Sequence, residues 1–542
     1  MAFNAGTQWS VRADGSETIC AGGFNPQNTN MATDGAATSA TGNSAVFSSA
    51  SYNFVAGDVG HWVFIKSGTN WNPGWYQIAS VASNVATLSS AIGDGVVFPG
   101  ANLTTNFALM KATTVAGVAT VASPTSATWS VDYSQSAAAF IAYTDMVIGG
   151  TTTQYTSAAN PVGKNKVGNH IRVTSGTGFT VQTVEIVSTS GTTATCDKSL
   201  GTGGSTGGNG YLGGSYRGPQ LLMALPVIAG NTVWCKAGAY TWSSATSNGT
   251  LGRTTVVSAT QCIGFNSKRG DDSTTRPIFS ASGSASGYCF TGGTFSLMKN
   301  LEVDLLSLSG AAGFNHNTSD LTWNSKVSNV NSGQISFLSG TQIYCIAEHT
   351  TPTGIGFSGG GDKFMCVAKN MTTGFNPTVS GFTTTNCVAT TCTTGWSGGV
   401  ASAAHFCLAY NTTNGFVVTG NSSYYLYGCI AATASSRGFD ANTGAFILVS
   451  CGAHNCTTAD TRFNSSGTAP SSVIGFITIT ADPFTNAAGG NFALNNTAGG
   501  GALLRGLSLA YPATISTTTY RDVGPAQHQD AGSAATVAFT FS

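Results

Sequence analysis

The chain has 542 residues, a formal net charge of zero, 8% charged residues, 41% hydrophobic residues and 70 glycines. Its length exceeds one ordinary globular core. Its hydrophobic content excludes disorder, which pairs low hydrophobicity with high charge, and without a basic face it is not expected to bind nucleic acid. No apolar run is long enough to span a bilayer, so no membrane insertion is expected. The start Met1-Ala-Phe-Asn has neither a basic nor an apolar signal region, which predicts synthesis in a cytoplasm and release without a cleaved leader. Thirteen cysteines, an odd number, then read as thiols rather than disulfides.

Short apolar runs separated by Gly, Asn, Ser and Thr predict an all-β chain of many short strands. Residues 59–93 align without gaps to 167–201, with 10 of 35 positions identical, among them Ser67/Ser175, Gly68/Gly176 and Ile78/Ile186. Each copy reads as strand, Ser-Gly-Thr turn, strand, turn, strand. Gln8-Trp-Ser-Val is similar to Thr128-Trp-Ser-Val. Two related small β modules are therefore predicted, over 1–125 and 126–215, followed by a Gly-rich linker at 201–218. The run 221–227 reads as a short helix or a buried strand.

The second half carries a repeat. Cys345-Ile-Ala, Cys366-Val-Ala, Cys387-Val-Ala, Cys407-Leu-Ala, Cys429-Ile-Ala and Cys451-Gly-Ala follow one another at steps of 21, 21, 20, 22 and 22 residues. This is the period of a solenoid coil of three short strands, and it predicts a right-handed parallel β-helix over 216–475. Side chains alternate along a strand, so each Cys shares a face with the Ala two positions on. Small residues suit a narrow lumen, and buried Cys acts as a small hydrophobe. The column two residues before each Cys (Ile343, Phe364, Thr385, His405, Tyr427, Val449) is placed on this same inner face. The polar column four after (His349, Asn370, Thr391, Asn411, Thr433, Asn455) is expected to bond between coils at a turn. Gly354-Ile, Gly374-Phe, Gly395-Trp, Gly415-Phe and Gly438-Phe are read as sharp corners followed by core-filling residues.

The residues between Cys and Ala (Ile346, Val367, Val388, Leu408 and Ile430) point outward in this register. Such an aliphatic stripe does not stay wet, and it is expected to pack against identical chains in a homotrimer, so that Val388→Asp disrupts assembly more than Thr390→Asp. Residues 476–542 are expected to close the end of the stack as a β cap and trimerisation segment, with Val537, Phe539 and Phe541 on one face.

Several stretches carry a family resemblance: Trp9-Ser-Val-Arg-Ala-Asp-Gly-Ser with Gly22-Gly-Phe, and Asp132-Tyr-Ser-Gln followed by Ser175-Gly-Thr-Gly-Phe. To these are added Gly264-Phe-Asn-Ser-Lys-Arg-Gly-Asp-Asp with Arg276-Pro, and Asp482-Pro-Phe-Thr-Asn-Ala with Tyr520-Arg-Asp-Val-Gly-Pro-Ala-Gln-His. Together they resemble the right-handed parallel β-helix proteins of tailed bacteriophages, of the tail-fibre and tailspike kind. The resemblance implies a homotrimeric virion protein, displayed on the particle exterior among other virion proteins, that adheres to host surface polysaccharide. A depolymerase tailspike and a capsid-bound decoration fibre are the alternatives.

Glycan hydrolysis needs two carboxylates about 5 to 9 Å apart. Acids are sparse in the coil region, and Glu348 with Asp362 is the weak candidate pair. Arg269-Gly-Asp reads as a turn and not as an adhesion motif. No cofactor is expected, and no metal site is expected at Cys451, His454 and Cys456, because Cys451 belongs to the inward column.

Overall fold

The computed structural model describes residues 7–504 apart from 91–124, 218–229, 244–259, 463–471 and shorter intervening stretches. The expected elements at 221–227 and at Val537, Phe539 and Phe541 lie outside the described residues. The chain divides into two compact units, one of residues 1–240 and 260–277, the other of 241–259 and 278–542.

The first unit contains two closed six-stranded barrels. One is built from Ala32–Ala37, Val46–Ser48, Trp62–Thr69, Gly74–Ala82, Val85–Leu88 and Thr125–Asp132; the other from Ile141–Ile148, Gln154–Thr156, His170–Ser175, Gln182–Ser190, Thr193–Cys196 and Gly208–Leu212. Their strand orders correspond one to one. The duplication extends to register. Trp62 pairs with Gln77 as His170 pairs with Glu185, and a bulge follows Ile78 as it follows Ile186. In each barrel an aspartate ties down the turn after the second strand. Asp34 accepts from Ser49 Oγ and Ser51 N, and Asp145 from Ser157 Oγ and Ala158 N. The module boundary therefore lies beyond residue 132, not at 125, because Thr125–Asp132 closes the first barrel. Gln8–Val11, expected to match that strand, instead runs parallel to Thr232–Lys236, which in turn pairs with Gln261–Phe265.

The second unit is a right-handed parallel β-helix with three sheets. One rung reads Lys363–Phe364, Val367–Lys369, Thr373–Asn376; the next reads Thr383–Thr385, Val388–Thr390, Thr394–Gly398. The last rung strands are Ser472–Ile474 and Ile477–Ile479, close to the expected end at 475.

The cysteine column and the alanines Ala347, Ala368, Ala389, Ala409, Ala431 and Ala453 are buried in the lumen. Leu301 and Ser325 occupy the same column in earlier rungs, each following a left-handed residue. They escaped the sequence repeat because they are not Cys. The residue before each column member has positive φ: Asn300, Asn324, Tyr344, Met365, Asn386, Phe406, Gly428 and Ser450. That left-handed residue turns the chain between the first and second sheets, so the two-residue alternation does not run through it. As a consequence Ile343, Phe364 and Tyr427 face outward and are half-buried, opposite to the face predicted for them. The column four after each Cys makes the next corner, with positive φ at Asn370, Thr391, Asn411, Thr433 and Asn455. Such a conformation is costly for β-branched Thr; the stack on either side holds it.

The aromatic ladder fills the lumen. Phe290, Phe314, Phe337, Phe357, Phe375, Trp396, Phe416 and Phe439 stack in sequence with centroids 4.6–5.3 Å apart and planes within 16°. The column member in the Cys345 rung is Phe357, not Ile355. Gly354 takes a left-handed conformation with φ 64°, whereas Gly374, Gly395, Gly415 and Gly438, also expected as corners, do not. A Cβ on Gly395 would lie 2.6 Å from the Gly415 carbonyl oxygen and 3.1 Å from Ala409 Cβ, and the neighbouring rungs repeat this. Glycine and alanine columns thus face each other across a lumen with room for neither side to grow.

The outward stripe has a different occupant from the one predicted. Val388, Leu408 and Ile430 are fully buried, and they form one apolar cluster with Ile479, Phe484, Phe492, Leu494 and Leu504 of the same chain. Tyr410 stacks edge-on with Phe484 and packs on Phe492. The segment 479–504 therefore lies on the outward side of the second sheet across three rungs. These three stripe residues are covered within the chain and not by a neighbouring subunit; Val367 is also buried, and Ile346 is half-buried.

Candidate functional site

Glu348 and Asp362 are not brought together. Glu348 stands on the outward face of the second sheet, where its carboxylate lies 2.8 Å from Lys326 Nζ; Glu302 lies 3.5 Å from the same nitrogen. The two carboxylates flank one ammonium. Burial works to lower the Lys326 pKa, and the two glutamates outweigh it and raise it. Both acids are thus engaged with the same ammonium, an ion-pair bridge that links neighbouring rungs. Asp362 is on the first sheet, at the end of the Gly-rich turn, where its carbonyl accepts from Gln342 N.

Beside Asp362, Lys363 points into the lumen and is fully buried. Its Nζ donates to the carbonyls of Gly340 (2.6 Å), Gly361 (2.9 Å) and Gly360 (3.1 Å) and lies 4.8 Å from the Phe382 ring. Burial pushes its pKa down to about 7. The unfolded chain keeps this proton up to about pH 10, so stability should rise with pH from about 7 toward 10 as the folded form sheds it. Lys363→Met removes this dependence. The stability of wild type relative to Lys363→Met is expected to climb by up to about 1.4 kcal/mol per pH unit in that window, measured by urea unfolding at several pH values. A flat difference would contradict a desolvated ammonium.

The lumen holds a second polar group that sequence reading missed. Thr322 Oγ1 lies 2.6 Å from His316 Nε2, and His316 Nδ1 lies 3.6 Å from Asp320. Burial lowers the His316 pKa while Asp320 works to raise it. The order is that of a nucleophile, base and orienting acid, but His316, Asp320 and Thr322 are all buried. The aspartate also accepts from Ser296 N, so it braces adjacent rungs. The spacing His-x3-Asp-x-Thr was the only sequence signal.

Arg269 is buried and bonds Asp132 at 2.8 Å and Ser10 Oγ at 2.8 Å, so Arg269-Gly-Asp is a structural element. Asp271 accepts from Asn266 N and Ser273 N, as a turn aspartate does. His454 Nδ1 lies against the Ile479 carbonyl, while Cys456 turns to the Ala431 carbonyl.

The outward face of the third sheet carries an ordered polar surface. Parallel pairing aligns Thr373, Thr394, Asn414 and Arg437 in one column, and Asn376, Ser397, Val417, Asp440 and Arg462 beside it. Rungs repeat at about 4.8 Å, so hydroxyl, amide and guanidinium groups recur on a rigid lattice. At its end Arg462 grips Asp440 with two bonds of 2.6 and 2.9 Å, and Arg437 approaches the same carboxylate at 3.6 Å.

No protein-family model matches the chain, and a search of curated proteins finds no relative. Among solved structures it is similar to the catalytic unit of a GH87 α-1,3-glucanase from Streptomyces thermodiastaticus, at 8% identity and TM-score 0.33, covering 63% of this chain and 87% of that one. It is also similar to pectate lyase Pel9A, at 13% identity and TM-score 0.31, covering 59% and 92%. A third is the A-module of mannuronan C-5 epimerase AlgE6 from Azotobacter vinelandii, at 12% identity and TM-score 0.29, covering 46% and 91%. At these values the likeness carries no argument; the parallel β-helix is read from the chain's own strand pairing, and its chemistry from its own residues.

Proposed function

We propose that the chain is a glycan-binding β-helix that holds a polysaccharide without cutting it, and that it serves as a homotrimeric fibre or spike on the exterior of a tailed-phage virion. The observation that carries the binding reading is the outward face of the third sheet, where Thr373, Thr394, Asn414, Arg437, Asn376 and Ser397 repeat polar groups rung after rung. Hydroxyls and amides both donate and accept, as sugar hydroxyls do, and a scaffold of paired strands holds them without further ordering cost. The non-cutting reading is supported by the engagement of Glu302 and Glu348 with one ammonium, Lys326, and by the separation of Glu348 from Asp362 onto different sheets. The virion setting and the trimer rest on the sequence resemblance. Trimer contacts, in this reading, use surfaces other than Val388, Leu408 and Ile430.

The test is to incubate the purified chain with host-envelope polysaccharide and follow retention and polymer length by chromatography. Retention at unchanged length is expected, for wild type and for Glu348→Gln alike. Shortened polymer that Glu348→Gln abolishes would replace this reading with a depolymerase.

A further inference from the structure

The polar face of the third sheet ends in a charge cluster that a neutral-sugar surface does not need. Side-chain exposure is 41% for Arg462 and 26% for Arg437, but 7% for the Asp440 between them. The cations are thus presented to solvent while the anion is held beneath them. In this cluster one carboxylate is shared by two guanidiniums. No other acid stands in the two outward columns of this sheet among the described residues. Asp460, on the same strand as Arg462, lies outside these two columns, with its backbone carbonyl beside Gly438. Both arginines sit on strands of the stack, so Asp440 and the sheet fix their planes before any ligand arrives. A guanidinium offers several N–H donors in a planar fork suited to carboxylate and phosphate oxygens.

We propose that Arg437 and Arg462 form an anion subsite, and that the polymer bound by this face carries oxyanion groups, carboxylate or phosphate, on its sugars. The proposal rests on the glycan-binding reading and narrows its ligand class. Asp440 is a positioning residue in it: it orients the two forks and does not itself touch the ligand.

The experiment is affinity electrophoresis of the full chain through gels containing polygalacturonate, a glycerol-phosphate polymer or neutral dextran, at low and high salt. Arg462→Gln, Arg437→Gln and the charge control Lys369→Gln, on the second sheet, are run beside wild type, and thermal midpoints confirm folding. Expected is retardation by one or both acidic polymers beyond that by dextran. It should weaken with salt and fall about tenfold in apparent affinity in either arginine variant, the loss of a charge-assisted bond, but not in Lys369→Gln. The polygalacturonate and glycerol-phosphate arms separate carboxylate from phosphate. Equal retardation by dextran and the acidic polymers, or equal loss in Lys369→Gln, would overturn the anion subsite and leave the glycan-binding reading standing. No retardation by any polymer would overturn both.

Discussion

Val388→Asp is expected to destabilise the folded chain by about 4 kcal/mol at neutral pH, while Thr390→Asp costs less than about 1 kcal/mol. The two positions are neighbours on one strand and both face away from the lumen. Val388 is fully buried in the cluster with Leu408, Ile430, Phe484 and Phe492, and Thr390 is half-buried. A carboxylate at 388 must either lose its hydration or lift the 479–504 segment off the sheet. The second route is cheaper, so protease cleavage between 480 and 504 should accelerate in Val388→Asp well before global unfolding. Urea unfolding and limited proteolysis measure the two effects. Had the stripe been a contact between subunits, Val388→Asp would give dissociated chains with the segment still protected. That outcome, read by light scattering and proteolysis together, would reverse the assignment of Phe484 and Phe492 as the covering residues.

Gly395→Ala is expected to cost about 3 kcal/mol although it adds one methyl group. The new Cβ would meet the Gly415 carbonyl oxygen at 2.6 Å, and that oxygen belongs to the next rung of the stack. Backbone in a parallel ladder cannot step aside without breaking its own hydrogen bonds. Ala409 Cβ, at 3.1 Å, is the lesser obstacle. A double variant, Gly395→Ala with Ala409→Gly, should therefore recover only a minor part of the loss. Unfolding midpoints of the two single variants and the double variant test this. Full recovery in the double variant would mean that the alanine column, and not the carbonyl, sets the width of the lumen.

The all-β class, the period of the coils and the inward direction of cysteine and alanine were legible in the residues alone. These are local properties, because Cys and Ala stand two apart in a strand and recur at every rung. The duplication at 59–93 and 167–201 was legible for the same reason, and register and bulge follow it strand for strand. Tertiary structure decided the rest. A single left-handed residue at Tyr344 or Met365 interrupts the alternation, and bulky residues there give no warning in the sequence, since only the stack makes that conformation tolerable. It moved Ile343, Phe364 and Tyr427 to the outside. The covering of Val388, Leu408 and Ile430 depended on the distant segment 479–504, and pattern shows that an apolar stripe is covered without showing by what. The same holds for the candidate acids. Glu348 and Asp362 are 14 positions apart in the chain, and the coil sends them to two sheets. Arg437 and Arg462, separated by 25 positions, meet on Asp440 because one rung of the stack brings them side by side.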